Sequence, residues 1–582
     1  LANETIAGMF DQMADVMEIR GENAFRVNTY RKVARVLRDT VQDVDELHES
    51  GRLTELQGVG ESSARKIAEF LETGTMSAYD RLMADFPAEA LDLLRVPGLG
   101  PRTVGRLMYE KGVVSLEQLE KAVQTGALSG MKGVGEKTLR NIAEGIAFLR
   151  RSSGRTLLGF ALPVAQGIVA ALRRSCPGVE FTPAGSVRRG KETVGDLDIL
   201  ASPAPAAGRR KALSGRPVVE AFTSLDVVAD VLASGDTKAS LRTREGLQVD
   251  LRVVASESFG AALCYFTGSK AHNVKLRGLA MDRGLKVSEY GVFRDDERVA
   301  GRTEEDVYAA LDLPWIPPEL REDRGEVEAA LAGELPELVA SDDVRGDLHV
   351  HSDYSDGALS VLETGRAALA AGYEYVAITD HSSAWLTRIQ GPAEERMARQ
   401  RDEIDAANRE LGGLVILKGA EVDILPDGSL EYDDGILSQL DLVIASVHTR
   451  FGMPEPEMTA RVVKAAANPY VSAIGHLTGR LIGRRDAYEL DVGAVVQACA
   501  EHGTALELNS HIDRLDADEL VCRRAKETGV RILLGTDAHH PSHFAMMPLG
   551  IGIARRGWLE PRDVLNCMPA DELCQYLRRG TR

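Results

Sequence analysis

From residue 345 onward, short apolar runs alternate with stretches in which apolar positions recur every three or four residues. The runs at 345–350, 374–379, 414–420, 441–447, 471–475, 504–509 and 530–536 read as strands. The stretches 361–371, 393–411, 457–467, 492–502 and 516–528 read as amphipathic helices. Strand–helix alternation predicts a parallel α/β fold, and seven units predict a barrel with its active site at the C-terminal strand ends. In the first strand, Asp347-Leu348-His349-Val350-His351, successive side chains point to opposite faces. His349 and His351 therefore share one face, and Leu348 and Val350 the other.

The first 150 residues repeat a different pattern: an apolar residue, Gly-x-Gly, then an amphipathic helix. It occurs in "LQGVGESSARKIAEFL" (56–71), "VPGLGPRTVGRLMYEKG" (96–112) and "MKGVGEKTLRNIAEGI" (131–146). The glycine pairs Gly58/Gly60, Gly98/Gly100 and Gly133/Gly135 permit tight turns. Their N–H groups and the following helix N-termini can receive a phosphate. One copy is equally an ordinary αα-hairpin; three copies beside lysines and arginines predict sequence-independent binding of the DNA backbone.

Between these halves lies "AGSVRRGKETVGDLDIL" (184–200), where Asp196 and Asp198 at i and i+2 of a strand share a face. Asp250, in "LQVDLRVV", interrupts a second apolar strand. Carboxylates on adjoining strands suit Mg²⁺ that keeps sites open for water and phosphates. Gly185-Ser186 with Arg188 and Arg189 adds a small turn, a hydroxyl and positive charge for a triphosphate. "YFTGSKAHNVKLRGLA" (265–280) follows with paired aromatics, a Gly-Ser turn, and Asn273, Lys275 and Arg277 on a helix.

Composition sharpens the division. At 582 residues, 44% hydrophobic and 27% charged, the chain is an ordinary soluble multidomain protein of three to five domains. The net charge of −19 is uneven: residues 1–320 carry 42 Lys+Arg against 44 Asp+Glu, and residues 321–582 carry 27 against 44. Ten of the twelve histidines lie beyond residue 346. The acidic, histidine-rich half is suited to cations. No run of 18 apolar residues predicts a membrane span, and no charged-then-apolar leader predicts export. The chain begins at Leu1, which leaves room for an initiator methionine or a few residues before it. Six cysteines without a Cys-x-x-Cys pair fit a reducing compartment and argue against a zinc knuckle.

The polar residues of the C-terminal half fall at strand ends: His349, His351 and Asp356 at the first, Asp380 and His381 at the second. Glu421, His448 and His476 end the third, fourth and fifth, and Asp537 and His539 the seventh. Imidazoles mixed with carboxylates and no thiolate suit Zn²⁺, Mn²⁺ or Fe²⁺. Even without Asp380, nine such ligands are too many for one ion and enough for two or three. Clustered ions suggest phosphoester hydrolysis.

"HVHSDYSDG", "ITDHS", "GAEVDIL", "ASVHTR", "IGHLTG" and "GTDAHH" resemble the PHP (polymerase and histidinol phosphatase) domain. That resemblance implies three metal sites. His349, His351, Glu421 and Asp537 hold one ion; Glu421 bridges to a second on His448 and His476; Asp356, His381 and His539 hold a third. His502, His511, His540 and His543 match no ligand. "GSVRRG…GDLDIL", "VDLRVV" and "YFTGS…N…R" resemble the family X DNA polymerases, and the combination resembles the bacterial type.

Several expectations follow from these resemblances. Asp196, Asp198 and Asp250 hold two Mg²⁺. Gly185, Ser186, Arg189, Tyr265, Phe266, Gly268, Asn273 and Arg277 bind the dNTP or template. The implied fold is multidomain: all-α helix-hairpin-helix domains at 1–82 and 83–153, an α+β palm at 154–258 and thumb at 259–320. An acidic linker at 321–344 then leads to a distorted (β/α)7 PHP barrel at 345–582, and 202–217 is a loop within the palm. The expected function is short-gap filling on gapped or nicked duplex DNA, with a Mn²⁺- or Zn²⁺-dependent nuclease acting at 3′ ends, abasic sites or both. A silent scaffold and a small-molecule phosphatase stand as alternatives for the barrel. A cytoplasmic, nucleoid-associated monomer is expected. Lys66 matches the Schiff-base lysine of lyase-active relatives and Tyr30 a neighbouring position. Phe25, Arg26 and Ser62 replace the lysines and histidine found there, so a DNA-backbone contact by Lys66 is the competing reading.

Overall fold

The computed structural model describes residues 2–39, 44–56, 58–84, 86–87, 89–96, 99–128, 131, 139, 142, 155–203, 215–383, 387, 389, 391–482, 485 and 487–579. The chain divides into two compact units, Leu1–Gly154 and Arg155–Arg582. No described helix is long and apolar enough to cross a membrane.

The first unit is helical, with α1 (Ala2–Ile19), α2 (Ala24–Asp39), α3 (Glu61–Thr73) and α4 (Pro101–Lys111) as its main elements. The apolar positions of α1 serve two cores. Ile6, Phe10, Met13 and Met17 pack with Tyr30, Val33, Leu37 and Ile67, whereas Val16 and Ile19 pack with Leu93, Val104 and Leu107. Gly105 lets α4 approach the Ile19 carbonyl, where a Cβ would collide. The first two Gly-x-Gly motifs precede α3 and α4, with Gly60 and Gly100 at the caps and no side chain bonded to the free N–H groups. Gly98, Gly133 and Gly135 lie outside the described residues.

The second unit begins with a five-stranded sheet. Its strands are β1 (Val179–Pro183), β2 (Asp196–Pro203), β3 (Val228–Ser234), β4 (Lys238–Thr243) and β5 (Gln248–Val253), in the order β1-β2-β5-β4-β3. Only β2 and β5 run parallel. Leu197, Ile199 and Ala201 of β2 pack with helices α5 (Leu158–Ser175) and α6 (Arg216–Thr223). The alternation of the strand turns Asp196 and Asp198 to the other face. Helices α7 (Phe259–Thr267) and α8 (Lys270–Asp282) follow, with a small antiparallel sheet formed by Lys286–Ser288, Gly291–Arg294 and Glu297–Ala300.

The segment 321–344, expected as a linker, is packed. It forms the helix Glu326–Ala332, whose Val327 and Ala330 join the core of α7 and α8. Arg321 and Glu326 are wholly buried, and Glu326 accepts from His272 Nδ1 at 2.6 Å. Its acidic residues find specific cations and histidines here, which charge counting alone does not reveal.

All seven predicted barrel strands form: β6 (Gly346–Val350), β7 (Tyr375–Ile378), β8 (Val415–Asp423), β9 (Leu442–Ser446), β10 (Ala473–Ile474), β11 (Ala505–Asn509) and β12 (Ile532–Gly535). They pair in parallel and in chain order. The five predicted helices lie between them as Val361–Ala370, Ala393–Glu410, Glu455–Ala466, Val492–His502 and Glu519–Thr528. The sheet closes where Val350 bridges Ala538, with the His351 N–H donating to the Ala538 carbonyl at 2.9 Å. A further helix, α9 (Met547–Arg556), packs beside the barrel. One apolar core runs unbroken from the five-stranded sheet into the barrel, with Gly159 of α5 close against Ile512 and Leu549.

Asn566 fastens the first barrel strand to the last from below. Its Nδ2 donates to the Gly346 and Leu534 carbonyls at 2.8 Å each, and its Oδ1 accepts from the Leu534 N–H at 2.7 Å. Asn566→Ala leaves these buried groups unpaired and is expected to cost about 2–4 kcal/mol. Thermal unfolding followed by circular dichroism will show a lowered midpoint; an unchanged midpoint would remove the residue from the closure.

Candidate metal centres

The strand ends bring all nine expected barrel ligands to one rim. His351, Asp356, His381 and His539 form one group with ligand atoms within 4.8 Å of one another. His349, His351 and Glu421 form a second, and His381, Glu421 and His448 a third. Glu421 is the hub. Its Oε2 lies 3.0 Å from His381 Nδ1 and 3.4 Å from His349 Nε2. Its Oε1 lies 2.8 Å from His476 Nε2 and 3.2 Å from His448 Nε2. Asp537 Oδ1 is 3.1 Å from His351 Nε2, and Asp356 Oδ1 is 3.1 Å from His539 Nε2. His351 and His381 each belong to two of these groups, whereas the family resemblance implies a single site for each.

The buried edges of these groups look into the rim. Nε2 of His349 and His351, Nδ1 of His381 and Oε2 of Glu421 are buried without a hydrogen-bond partner. Such atoms are costly unless something else meets them. Their opposite edges are held: His349 Nδ1 lies 2.6 Å from Glu507 Oε1, and His448 Nδ1 lies 2.6 Å from Asp423 Oδ1. A carboxylate on one imidazole nitrogen fixes the tautomer that presents the other as a ligand. Glu507 and Asp423 escape the sequence reading, although each carried a signal. Glu507 interrupts the apolar run "ALELN", and Asp423 lies two residues beyond Glu421 on the same strand face. Arg514 is a third unforeseen neighbour, with Nε 3.4 Å from Asp537 Oδ2.

Burial pushes the Glu421 carboxyl up, but the imidazoles of His448, His381 and His349 outweigh it and hold it well below the usual range. Burial and the neighbouring imidazoles of His539 and His381 depress His351 to about 3. The rim is therefore set to keep carboxylates charged. His476 and Asp537 have φ of 24° and 54°, in the left-handed region, the kind of local strain that collects at functional sites. Among the unmatched histidines, His511 binds Asp513 at 2.6 Å, and His543 Nδ1 accepts from the His539 N–H at 3.3 Å. His540 is exposed, and His502 ends its helix at the surface.

The second centre sits on the parallel pair β2 and β5, where Asp198 lies directly opposite Asp250 and Asp196 opposite Gln248. Asp250 accepts from the Ser240 hydroxyl and from Gln248 Nε2. Burial, with the charges of Asp196 and Asp250, pushes the Asp198 carboxyl up to about 6. Gly185 opens the turn Gly185–Arg188 beside it with φ of 66°. A Cβ there would lie 2.6 Å from Asp198 Oδ2, so the close approach requires glycine.

Of the expected nucleotide residues, Arg189 lies near enough for its charge to act on Asp198. Ser186 is half-buried on the turn. Arg189 is engaged: its Nε donates to Glu322 at 2.9 Å and its Nη1 to the Thr267 carbonyl. Arg188 forks onto Glu304 at 2.8 and 2.7 Å. Tyr265 and Phe266 meet edge to face at 5.1 Å, and the Arg252 guanidinium lies 4.6 Å from the Phe266 ring centre. Gly268, with φ of 70°, leaves room for Arg189. Asn273 Nδ2 donates to the Tyr265 carbonyl at 2.7 Å, and Arg277 is exposed. In the first unit, Lys66 Nζ donates to the Ser62 carbonyl at 3.0 Å and bonds its hydroxyl at 2.9 Å. It lies 5.6 Å from the ring centre of the buried Tyr30.

The chain matches a helix-hairpin-helix domain over residues 1–76 and a SAM-like helix-hairpin-helix tandem over 90–147. It matches the DNA polymerase beta thumb over 262–322 and the PHP domain over 347–511. It is 34% identical over 247 residues to a probable phosphatase of Thermoanaerobacter sp. (strain X514), covering 40% of this chain and 95% of that one. DNA polymerase lambda of Rattus norvegicus is 26% identical over 343 residues, 55% of this chain and 56% of that one. The DNA polymerase/3′-5′ exonuclease PolX of Bacillus subtilis (strain 168) is 38% identical over 580 residues, 99% of each chain. With end-to-end identity at that level and both centres in place, the chain belongs to the bacterial family X DNA polymerases that carry a C-terminal PHP domain.

Proposed function

We propose that this protein fills short gaps in duplex DNA at the acidic sheet centre and degrades DNA 3′ to 5′ at the barrel rim, with abasic sites as a further substrate. The observation that carries the reading is the coexistence, in one chain, of the opposed Asp198 and Asp250 and the nine-ligand rim around Glu421. Asp196, Asp198 and Asp250 would hold two Mg²⁺, and the rim up to three Mn²⁺ or Zn²⁺. The buried, unpartnered atoms of His349, His351, His381 and Glu421 fit that role, and imidazole with carboxylate is a donor set such ions accept. Divalent ions at these centres supply positive charge to the oxygens of phosphoryl transfer and lower the pKa of bound water.

The protein's own residues do the rest. Gly185, Ser186 and Arg189 receive the triphosphate, Tyr265 and Phe266 bound the sugar, Gly268 gives the turn its room, and Asn273 and Arg277 meet base and template. Glu507 and Asp423 keep His349 and His448 in the ligand tautomer. Gly58, Gly60, Gly98, Gly100, Gly133 and Gly135 contact the DNA backbone. We divide the chain into helical domains at 1–82 and 83–153, palm at 154–258, thumb at 259–320 and PHP barrel at 345–582, acting as a monomer on nucleoid DNA. Lys66, tied to Ser62 beside Tyr30, is read as a backbone contact.

The phosphatase relatives support a second reading, in which the barrel cleaves small phosphomonoesters. Histidinol phosphate hydrolysed faster than DNA would favour it.

Variants at the two centres should separate the two activities. Asp250→Ala should reduce dNTP incorporation at least about a thousandfold while DNA affinity changes less than about twofold. His349→Ala or Glu421→Ala should abolish Mn²⁺-dependent cleavage and leave primer extension intact, the wild-type products being a 5′-phosphomonoester and a free 3′-OH. Equal loss of both activities would make the metals structural.

The raised Asp198 gives a pH dependence. Below about 6 a proton competes with the cation for this carboxylate. The Mg²⁺ concentration for half-maximal extension should rise about tenfold per pH unit below that point. A flat Mg²⁺ requirement between pH 7 and pH 5 would contradict it.

Borohydride trapping on a nicked 5′-deoxyribose-phosphate substrate should yield no adduct that disappears in Lys66→Ala. A Lys66-dependent adduct would instead establish the lyase.

A further inference from the structure

Arg556 ends helix α9 on the barrel side, yet its side chain, 1% exposed, reaches into the polymerase half. Its Nη1 donates to the Arg189 carbonyl at 2.7 Å and to Glu322 Oε1 at 3.0 Å. Its Nη2 donates to Glu519 Oε1 at 2.9 Å. The Arg189 carbonyl lies at the C-terminal end of the Gly185–Arg188 turn, whose first residue touches Asp198. Gly190, with φ of 65°, brings the chain back past Arg556 Cδ, 3.7 Å from where its Cβ would stand.

Glu322 Oε1 is shared: Arg189 Nε reaches it at 2.9 Å and Arg556 Nη1 at 3.0 Å. Lys191 and Arg324 lie 3.4 and 3.3 Å from Glu519 Oε1. The cluster thus sets four cations, Arg189, Lys191, Arg324 and Arg556, against two carboxylates, Glu322 and Glu519. Without Arg556, Glu322 would be left to Arg189 and the more distant Lys191, 3.9 Å away, and would hold Arg189 more tightly. The turn would lose its carbonyl anchor, and the positive excess would halve.

We infer that Arg556, supplied by the PHP barrel, is a positioning residue for the polymerase. It anchors the turn that carries Gly185 and Ser186, and it draws on Glu322 so that Arg189 can turn to a triphosphate. The barrel therefore takes part in dNTP binding independently of its own metal centre. This rests on the proposed role of Arg189 at the triphosphate.

The test is steady-state extension of gapped DNA by the full-length protein, with nuclease activity and thermal unfolding measured on the same preparations. Arg556→Gln should raise the KM for dNTP about tenfold with kcat changed less than about twofold, which marks lost binding rather than lost chemistry. Nuclease activity should stay within about twofold. Because Gln leaves two buried carboxylates short of a cation, Arg556→Lys is the second variant. It keeps the charge and the unfolding midpoint, but one ammonium cannot serve the Arg189 carbonyl, Glu322 and Glu519 together, so KM should still rise several-fold. An unchanged KM in Arg556→Lys would overturn the inference, as would parallel losses of extension, nuclease and midpoint in both variants. Arg189→Ala separates the two readings. If it leaves KM unchanged, the role of Arg189 fails; if it raises KM while both Arg556 variants do not, only the role of Arg556 fails.

Discussion

The structure turns on the closure of the barrel between its first and last strands. Val350 bridges Ala538, and the contacts along that seam bring His349 and His351 on one strand beside Asp537 and His539 after another. The group of His351, Asp356, His381 and His539 spans that seam, whereas the other two are drawn from neighbouring strands on one side of it. The closure also explains why so much charge is tolerated in the interior. Asp347, His349, Glu421 and Glu507 are almost wholly buried, an arrangement that is expensive unless every charge meets an opposite one or a hydrogen bond. Asp347 accepts from Thr536 across the same seam, and Glu507 accepts from the His476 N–H. The rim is a network in which each carboxylate is answered from a different strand, and the strands must be in register for the answers to arrive.

The acidic centre of the five-stranded sheet depends on a smaller constraint of the same kind. Parallel pairing sets Asp198 against Asp250, and the absence of a side chain at Gly185 lets the neighbouring turn close over them. Burial, joined by the like charges of Asp196 and Asp250, raises the proton affinity of Asp198. Carboxylates gathered on one strand face, with Arg189 and Arg252 near enough to act on Asp198 but neither paired to it, are prepared for cations rather than for structural ion pairs.

Much of this was legible before the fold. Strand alternation put His349 and His351 on one face, and the same rule put Asp196 and Asp198 together. The seven strands and five helices of the barrel follow the period of the apolar positions closely, because a parallel barrel strand is buried on both faces and reads as an unbroken run. What escaped the sequence were pairings across long separations. Glu507 answers His349 and Glu322 answers Arg189, and no local pattern links either pair. The segment 321–344 looked like a linker because its acids were read as solvated. In the fold Glu326 meets His272, Glu322 meets Arg189 and Arg556, and Val339 enters the core. Sharing of His351 and His381 between ligand groups likewise depends on ring positions that only the closed barrel sets.

The unbroken apolar core has a consequence for how the chain is made. Gly159 and its neighbours on α5 rest against Ile512 and Leu549, residues synthesised hundreds of positions later. At about 5–20 residues per second, the Gly159 patch of α5 leaves the ribosome roughly 20 to 80 s before Ile512 and Leu549 arrive to cover it. During that interval the nascent polymerase half presents a hydrophobic surface that only the finished barrel can close. Chaperone holding, or a translation rate matched to the delay, becomes part of what the joined architecture requires of the cell that produces it.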